Sequence, residues 1–101
     1  MKRPLYDLSA AARLDLLKIW KYLAANASLN IADKVSADIE SAIHELASSP
    51  GLGHRRPDLT PHEILFYRVH SYLIVYRPEH KPVHILRVLH AARDLETMLE
   101  G

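Results

Sequence analysis

The stretch ILRVLHAARD, residues 85–94, decides the fold because it reads as a strand that runs into a helix. Alternation along it predicts that Leu86 and Val88 occupy one face of the strand. Ile85 and Leu89 then fall on the opposite face. Apolar residues on both faces predict a central strand of a sheet that is covered on each side.

Two further strand-like runs precede this one, and all three are rich in isoleucine, valine and tyrosine. The runs are Ile64–Val69, Tyr72–Arg77 and Val83–His90. The segments between them are short enough for hairpins, so residues 64–90 predict a three-stranded antiparallel meander. A short C-terminal helix over residues 92–99 is expected to follow.

The N-terminal half predicts a strand and a helical hairpin. Residues 3–8 read as a strand that ends at Ser9, whose hydroxyl suits the first turn of a helix. Apolar residues then recur at three- and four-residue steps through two helices over residues 10–48, with a short link at residues 27–30. Trp20 is expected in the core.

The resulting order is β-α-α-β-β-β, with the short helix at the end. It predicts an α+β fold in which the helix hairpin packs on one face of an antiparallel-rich sheet. The other face is expected to be partly open to solvent or to a partner. The 101 residues fit a single domain over residues 1–101.

Composition limits the kinds of site that the chain can carry and indicates its cellular compartment. Hydrophobic residues make up 49% of the chain, charged residues 25%, and cysteine is absent. Disulfides and thiolate metal sites are therefore excluded, and a cytoplasmic protein without a membrane span is expected. His84 and His90 lie about 20 Å apart along their strand, too far to bind one metal ion. The sequence predicts neither a metal nor a cofactor.

The net charge of +1 hides an uneven distribution. Residues 51–93 carry seven basic side chains, six of them arginine, against three acidic ones, which leaves a local charge of +4. Arginine is suited to paired hydrogen bonds with phosphate or carboxylate. These arginines predict either a solvated surface or a binding surface for an anionic partner.

Four segments in this order resemble one known family. They are LSAAARLDLLKIWKYLA in the first helix, SPGLGHRRPDL in the loop, YLIVYR in a strand and the closing ILRVLHAARDL. Together with the element order, they resemble the ParE branch of the RelE/ParE toxin superfamily over about residues 8–95.

This resemblance implies the toxin of a type II toxin–antitoxin module, neutralised by a ParD-like antitoxin through which it co-represses its own operon. The antitoxin's C-terminal part would fold onto the toxin, giving a dimer of heterodimers or a larger complex. Leu17, Tyr22 and Ala24 on the first helix are the candidate antitoxin contacts.

The superfamily offers two target classes, which need different residues. ParE-like members poison DNA gyrase, whereas RelE-like members are metal-independent ribonucleases that cut messenger RNA on the ribosome. A ribonuclease needs an acid, a base and cations around the reacting phosphate. The candidates for that role are Arg68, Arg77, Arg87 and His90.

The sequence departs from the ribonuclease pattern, since lysines are absent from its central strands and the chain continues past His90. The HAARDL ending resembles the ParE pattern, which favours inhibition of gyrase without bond chemistry. A non-toxic interaction partner is a further alternative. The candidate contacts with the target are Arg55, Arg56, Arg87, His90 and Arg93.

Overall fold

A computed structural model of the protein describes residues 5–94 and shows two helices on a four-stranded mixed sheet. The helices are α1 (Ala10–Asn26) and α2 (Leu29–Ser48), and a 3-10 turn spans Pro50–Leu52. The strands are β1 (Tyr6–Leu8), β2 (Leu65–Val69), β3 (Tyr72–Arg77) and β4 (Val83–His90). The predicted α+β fold is confirmed.

The strand order is β1-β4-β3-β2, which makes β4 central, as its apolar composition predicts. The pairs β2–β3 and β3–β4 are antiparallel, and β1 lies parallel to β4. Because a parallel pair needs a crossover, the helix hairpin connects β1 to the rest of the sheet.

The element ends differ slightly from the prediction. Strand β1 begins at Tyr6 and β2 at Leu65, and residues 3–4 lie outside the described part of the chain. Residues 91–94 form a turn, and the remainder of the predicted C-terminal helix lies outside the described residues. A serine precedes each helix, Ser9 before α1 and Ser28 before α2, and its hydroxyl accepts an amide hydrogen bond of the first turn.

Two apolar clusters cover the two faces of the sheet. Ile74 and Ile85 pack with α2 residues such as Leu46 in the larger cluster, where all three are fully buried. On the opposite face, Val75 packs in a second cluster, against which Leu59 of the loop before β2 lies. The face that was expected to be partly open is therefore apolar, and the loop contributes to its cover.

A β-bulge in β4 overturns the predicted assignment of its faces. Arg87 pairs with Val75 and Ile85 with Tyr76, so Leu86 has no partner of its own on β3. The irregularity shifts the alternation by one residue. Ile85 and Val88 both face the helices, while Leu86 and Leu89 belong to the second cluster. The pairing of Arg87 with Val75 puts Arg87 on that second face as well.

Trp20 is a second correction, since it is only half-buried. Its indole N–H donates to Asp33 Oδ1 at 2.8 Å, an exposed contact that joins α1 to α2. The polar tip of the ring explains its position at the rim. Neither helix in the described part of the chain is long and apolar enough to cross a membrane.

Candidate functional site at the end of β4

The turn that follows β4 is closed by hydrogen bonds between its first and last residues, His90 and Asp94. The amide of His90 donates to Asp94 Oδ2 at 2.8 Å, and the amide of Asp94 donates to the carbonyl of His90 at 2.9 Å. The imidazole Nδ1 of His90 accepts from the amide of Arg93 at 3.1 Å. Nδ1 of His90 is therefore engaged by the backbone of the turn.

Arg93 connects this turn to α1. Its guanidinium carbon lies 5.5 Å from the centroid of the Tyr22 ring, a cation–π contact on a side chain that is 51% exposed. The Asp94 carboxylate lies 3.4 Å from Arg93 Nε. Arg93 is therefore held over an exposed aromatic ring, with its charge at the surface.

Tyr72 packs against His90 from the neighbouring strand β3. The two rings meet edge to face, with centroids 5.5 Å apart and planes at 90°. Burial raises the pKa of Tyr72, and the nearby charge of Arg93 offsets part of that rise. The phenol therefore remains neutral near pH 7 and acts as a packing surface for His90.

Arg87 is attached to α1 by Asp15. Arg87 Nε and Nη2 donate to the two carboxylate oxygens at 2.8 and 3.0 Å, and the amide of Val88 donates to Oδ2 at 3.0 Å. The hydrogen bonds to Asp15 raise the pKa of Arg87. The Asp15 side chain is only 12% exposed, whereas 46% of Arg87 remains accessible.

The four residues of the ribonuclease alternative do not lie together. Arg77 pairs with His84 at one end of β3, whereas His90 pairs with Tyr72 at the other end. Five residue steps along the strand separate the two by roughly 16 Å. Arg68 lies on the edge strand β2, where its Nε donates to the carbonyl of His70 at 2.9 Å.

The loop arginines lie by the second face of the sheet, where Arg56 and Arg68 line the same cleft. Arg56 forms two hydrogen bonds to Asp58, at 3.0 and 2.8 Å, which raise the pKa of Arg56 and lower that of Asp58. Arg55 is exposed. A cleft of about 270 Å³ beside them is lined by His54, Arg56, Phe66, Arg68, Leu73 and Ala91.

The candidate antitoxin contacts are divided between the surface and the interior. Leu17 is 48% and Tyr22 51% exposed, whereas Ala24 is half-buried. Sequence reasoning missed Leu14, which is 49% exposed on the same helix, and the supporting roles of Asp15 and Asp94. The four-residue spacing of His90 and Asp94 was the sequence signal for the hydrogen bond between them. Asp15 gave none, because its partner lies 72 residues away.

Among residues 5–94, no group of histidine and acidic side chains is arranged to hold a metal ion. The end of β4 has its own arrangement of charged and aromatic side chains. It presents cations fixed by carboxylates and aromatic rings, which suits binding of an anionic surface.

Comparison with known proteins identifies the family of the chain. Residues 6–95 match the family model described as the ParE toxin of the type II toxin–antitoxin system parDE. Toxin ParE3 of Caulobacter vibrioides is 31% identical over 85 residues, which cover 84% of each chain.

The fold comparison points the same way. A chain of the chromosomal ParDE TA system from P. aeruginosa superimposes with a TM-score of 0.72 at 21% identity. The match covers 84% of this chain and 92% of that one, and at this identity it shows a shared fold. Because residues 6–95 of its 101 residues match this family model, the chain belongs to the ParE toxins of type II toxin–antitoxin systems.

Proposed function

We propose that this protein is a toxin that inhibits DNA gyrase in the cytoplasm and is neutralised by a ParD-like antitoxin. Family membership supports the toxin and antitoxin parts of the proposal. The gyrase target is supported by the resemblance of its HAARDL ending to ParE toxins and by the chemistry at the end of β4.

The observation that carries the proposal is the way Arg93 is presented. It is fixed over Tyr22 by a cation–π contact and remains exposed, while the Nδ1 atom of His90 is occupied by a backbone amide. A gyrase inhibitor needs a binding surface and no acid–base pair. Charge-assisted hydrogen bonds from Arg93 would bind carboxylates of gyrase or phosphates of its DNA.

The ribonuclease alternative has less support. Its cations are scattered, and Arg87 is already paired with Asp15. The second face of the sheet carries buried apolar side chains, with Leu73 and Val75 only 6% and 1% exposed. Stabilising the charge of a reacting phosphate requires several donors aimed at one point.

The test is inhibition of gyrase by purified toxin, measured as loss of DNA supercoiling, beside an assay of messenger-RNA cleavage on ribosomes. We expect loss of supercoiling with intact messages. Arg93→Ala should raise the toxin concentration needed for half-inhibition by about tenfold or more, since it removes a charged contact.

Two results would reject the proposal. Message cleavage that is lost in His90→Ala or Arg87→Ala would establish the ribonuclease instead. Antitoxin binding without inhibition of growth, gyrase or translation would identify a non-toxic partner. Lys81→Ala, in the turn before β4 and so at the opposite end of that strand from Arg93, serves as the cation control for Arg93→Ala.

A further inference from the structure

A cleft on the second face of the sheet brings two arginines and a histidine together. The residues that line it, called the β2 cleft below, are His54, Arg56, Phe66, Arg68, Leu73 and Ala91. Its volume is about 270 Å³, and no acidic residue of the described part of the chain lines it. Phe66 and Leu73 are buried, whereas His54 and Arg68 are exposed. A ligand of the cleft would therefore meet an apolar floor and a cationic rim.

The backbone fixes the loop before β2 beside that strand. The amide of each of His54 and Phe66 donates to the carbonyl of the other at 2.9 Å, so His54 extends the sheet by one residue. Alternation puts Phe66 and Arg68 on the same face of β2, and Arg68 pairs with Leu73 of β3. The loop thus contributes His54 and Arg56 to the cleft, and the sheet contributes Arg68.

Each arginine is held by one part of its guanidinium group and presents another part to the cleft. Arg68 Nε donates to the carbonyl of His70 at 2.9 Å, and within residues 5–94 its two Nη atoms have no acceptor. Arg56 binds Asp58 through Nε and Nη2, and its Nη1 has no acceptor in the same part of the chain. Because both groups are fixed before a ligand arrives, less side-chain entropy is lost on binding.

This geometry favours a phosphate over a carboxylate. Elsewhere in the protein, a carboxylate accepts from Nε and Nη2 of a single arginine. Asp15 binds Arg87 in this way, and Asp58 binds Arg56 likewise. Arg68 cannot bind a carboxylate in this way, because its Nε is already bound to the backbone. The oxygens of a phosphate diester point to different sides, so one phosphate can accept from Arg68 and Arg56 together.

The β2 cleft and Arg93 lie on two sides of the turn that follows β4. Ala91 lines the cleft, whereas Arg93, two residues further on, lies over Tyr22 of α1. Two peptide units separate their Cα atoms by at most about 7.6 Å. Duplex DNA carries one negative charge about every 1.7 Å along its axis, so nearby phosphates of one duplex can reach both sites. Two separate carboxylates, each correctly placed, would be needed to do the same.

We infer that the β2 cleft binds a phosphate of the DNA that gyrase holds, so that the toxin contacts this DNA through the cleft and Arg93 together. The inference rests on the proposed function, in which Arg93 binds either gyrase or its DNA. It assigns that contact to the DNA backbone and adds His54 and Arg68 to the candidate target contacts. Among the described residues, one histidine and no carboxylate line the cleft, which therefore lacks the acid–base pair that strand cleavage needs.

The first test measures binding of a short duplex DNA to the purified toxin by fluorescence anisotropy over a range of salt concentrations. Arg68→Ala should weaken binding about fivefold and reduce the salt slope by about one, because one phosphate contact is lost. Arg13→Ala, which removes an exposed arginine of α1 outside the cleft, should change neither. Equal losses in both variants would overturn the inference, since they would show a general effect of charge. Failure of the unaltered toxin to bind the duplex at low salt would also overturn it.

Asp58→Asn gives a test in the opposite direction. It removes the anion beside the cleft and releases two nitrogens of Arg56, so duplex binding should become about threefold tighter. Glu79→Gln makes the same change in charge between β3 and β4 and should leave binding unchanged. Unchanged or weaker binding in Asp58→Asn would overturn the cleft as the phosphate site.

Arg68→Lys separates a direct contact from a structural role. It keeps the charge and removes the hydrogen bond to the carbonyl of His70. It should retain more duplex affinity than Arg68→Ala, since a phosphate also accepts from an ammonium group. Equal losses in the two variants would show that Arg68 acts by holding the hairpin turn, and would overturn the direct contact.

Three further probes separate DNA from other anions. Adenosine monophosphate that bound as tightly as the duplex would assign the cleft to a free nucleotide. Single-stranded RNA that lost more affinity than the duplex in Arg68→Ala would assign it to RNA. DNA-free gyrase that lost as much affinity in Arg68→Ala as the gyrase–DNA complex would assign it to a carboxylate of gyrase. Each of these results would overturn the inference.

Inhibition of supercoiling connects the cleft to the proposed function. We expect Arg68→Ala to raise the toxin concentration needed for half-inhibition by about fivefold. If the unaltered toxin does not inhibit gyrase, the proposed function fails, and the duplex affinities still decide whether the cleft binds a phosphate. If inhibition depends on Arg93 but is unchanged in Arg68→Ala, the proposed function stands and the inference fails.

Discussion

At the scale of single residues, the hydroxyl of Tyr76 organises the loop that follows α2. It donates to the carbonyl of Pro50 at 2.6 Å and accepts from the amide of Gly53 at 2.8 Å. Burial raises the pKa of Tyr76, so the phenol keeps its proton. One side chain of β3 thus satisfies two backbone groups of the loop.

The close approach of Gly53 gives a sharp prediction. A Cβ at this position would lie 2.6 Å from the Tyr76 hydroxyl oxygen and 3.0 Å from Leu65 Cβ. Gly53→Ala must displace a buried ring or a strand, so we expect the free energy of unfolding to fall by about 1–3 kcal/mol. Urea denaturation measures this change.

Gly51→Ala is the matched control, because nothing lies within 4 Å of a Cβ at Gly51. It should leave the free energy of unfolding unchanged or raise it by about 0.5 kcal/mol, since alanine restricts the unfolded chain. If Gly53→Ala were equally well tolerated, the contact with Tyr76 would be looser than the structure gives.

Asp15 and Arg87 form an ion pair whose two members should contribute unequally. Asp15→Ala leaves the partly buried amide of Val88 without its acceptor, so we expect a loss of about 2 kcal/mol of unfolding free energy. Arg87→Ala removes a half-exposed cation, which should cost about 1 kcal/mol or less. Thermal and urea unfolding of both variants at one pH gives the comparison.

Equal losses in Asp15→Ala and Arg87→Ala would assign the whole effect to the ion pair and none to the amide. The double variant separates the two contributions, because the pair energy is the part that is not additive. High salt should reduce the cost of Arg87→Ala more than that of Asp15→Ala.

At the scale of elements, the β2–β3 hairpin is fastened to α2 through its turn. His70 has a φ of 54°, a left-handed conformation that histidine adopts more readily than most residues. Its Nε2 lies 2.7 Å from Asp38 Oδ2 on α2, and Lys34 Nζ lies 3.1 Å from the same oxygen. The hydrogen bond from His70, followed by that from Lys34, lowers the pKa of Asp38.

This contact predicts a pH dependence of stability. The pKa of Asp38 is lower in the folded protein than in the unfolded chain, where it is about 4. Its stabilising effect is therefore complete above that value and is lost as the pH falls through the lower folded pKa. Asp38→Asn should melt at a lower temperature than the unaltered protein at pH 6, and the difference should shrink below about pH 4.

Glu45→Gln on the same helix provides the control for the removal of one negative charge. Its effect on the melting temperature should be smaller than that of Asp38→Asn at pH 6. A constant difference between Asp38→Asn and the unaltered protein from pH 6 to pH 3 would exclude the carboxylate as its source.

At the scale of the whole molecule, the sequence was sufficient for the fold but not for every strand face. Helical periodicity and serine caps located the hairpin, and apolar residues on both faces marked β4 as central. Alternation predicted the wrong faces for β4 from Leu86 onward, because a bulge inserts one residue there without a local sequence signal. The prediction that Trp20 lies in the core was wrong because its indole N–H donates to Asp33 of α2, at the rim of the core.

The candidate site was less predictable for a physical reason. Arginine and histidine at the end of β4 are visible in sequence, but their partners depend on the fold. Asp15 reaches Arg87 across 72 residues, and Tyr22 lies under Arg93 only once α1 packs beside β4. Such pairings follow from topology, which local residue patterns do not contain.

The parallel pairing of β1 with β4 has a consequence for synthesis. Tyr6–Leu8 pair with Val83–Ile85, and the hydroxyl of Ser9 donates to the carbonyl of Leu86, 77 residues further along the chain. The N-terminus leaves the ribosome first, so β1 has no strand to pair with until β4 has been synthesised. The sheet, and with it the surface around Arg93, can therefore be completed only after β4 has been synthesised.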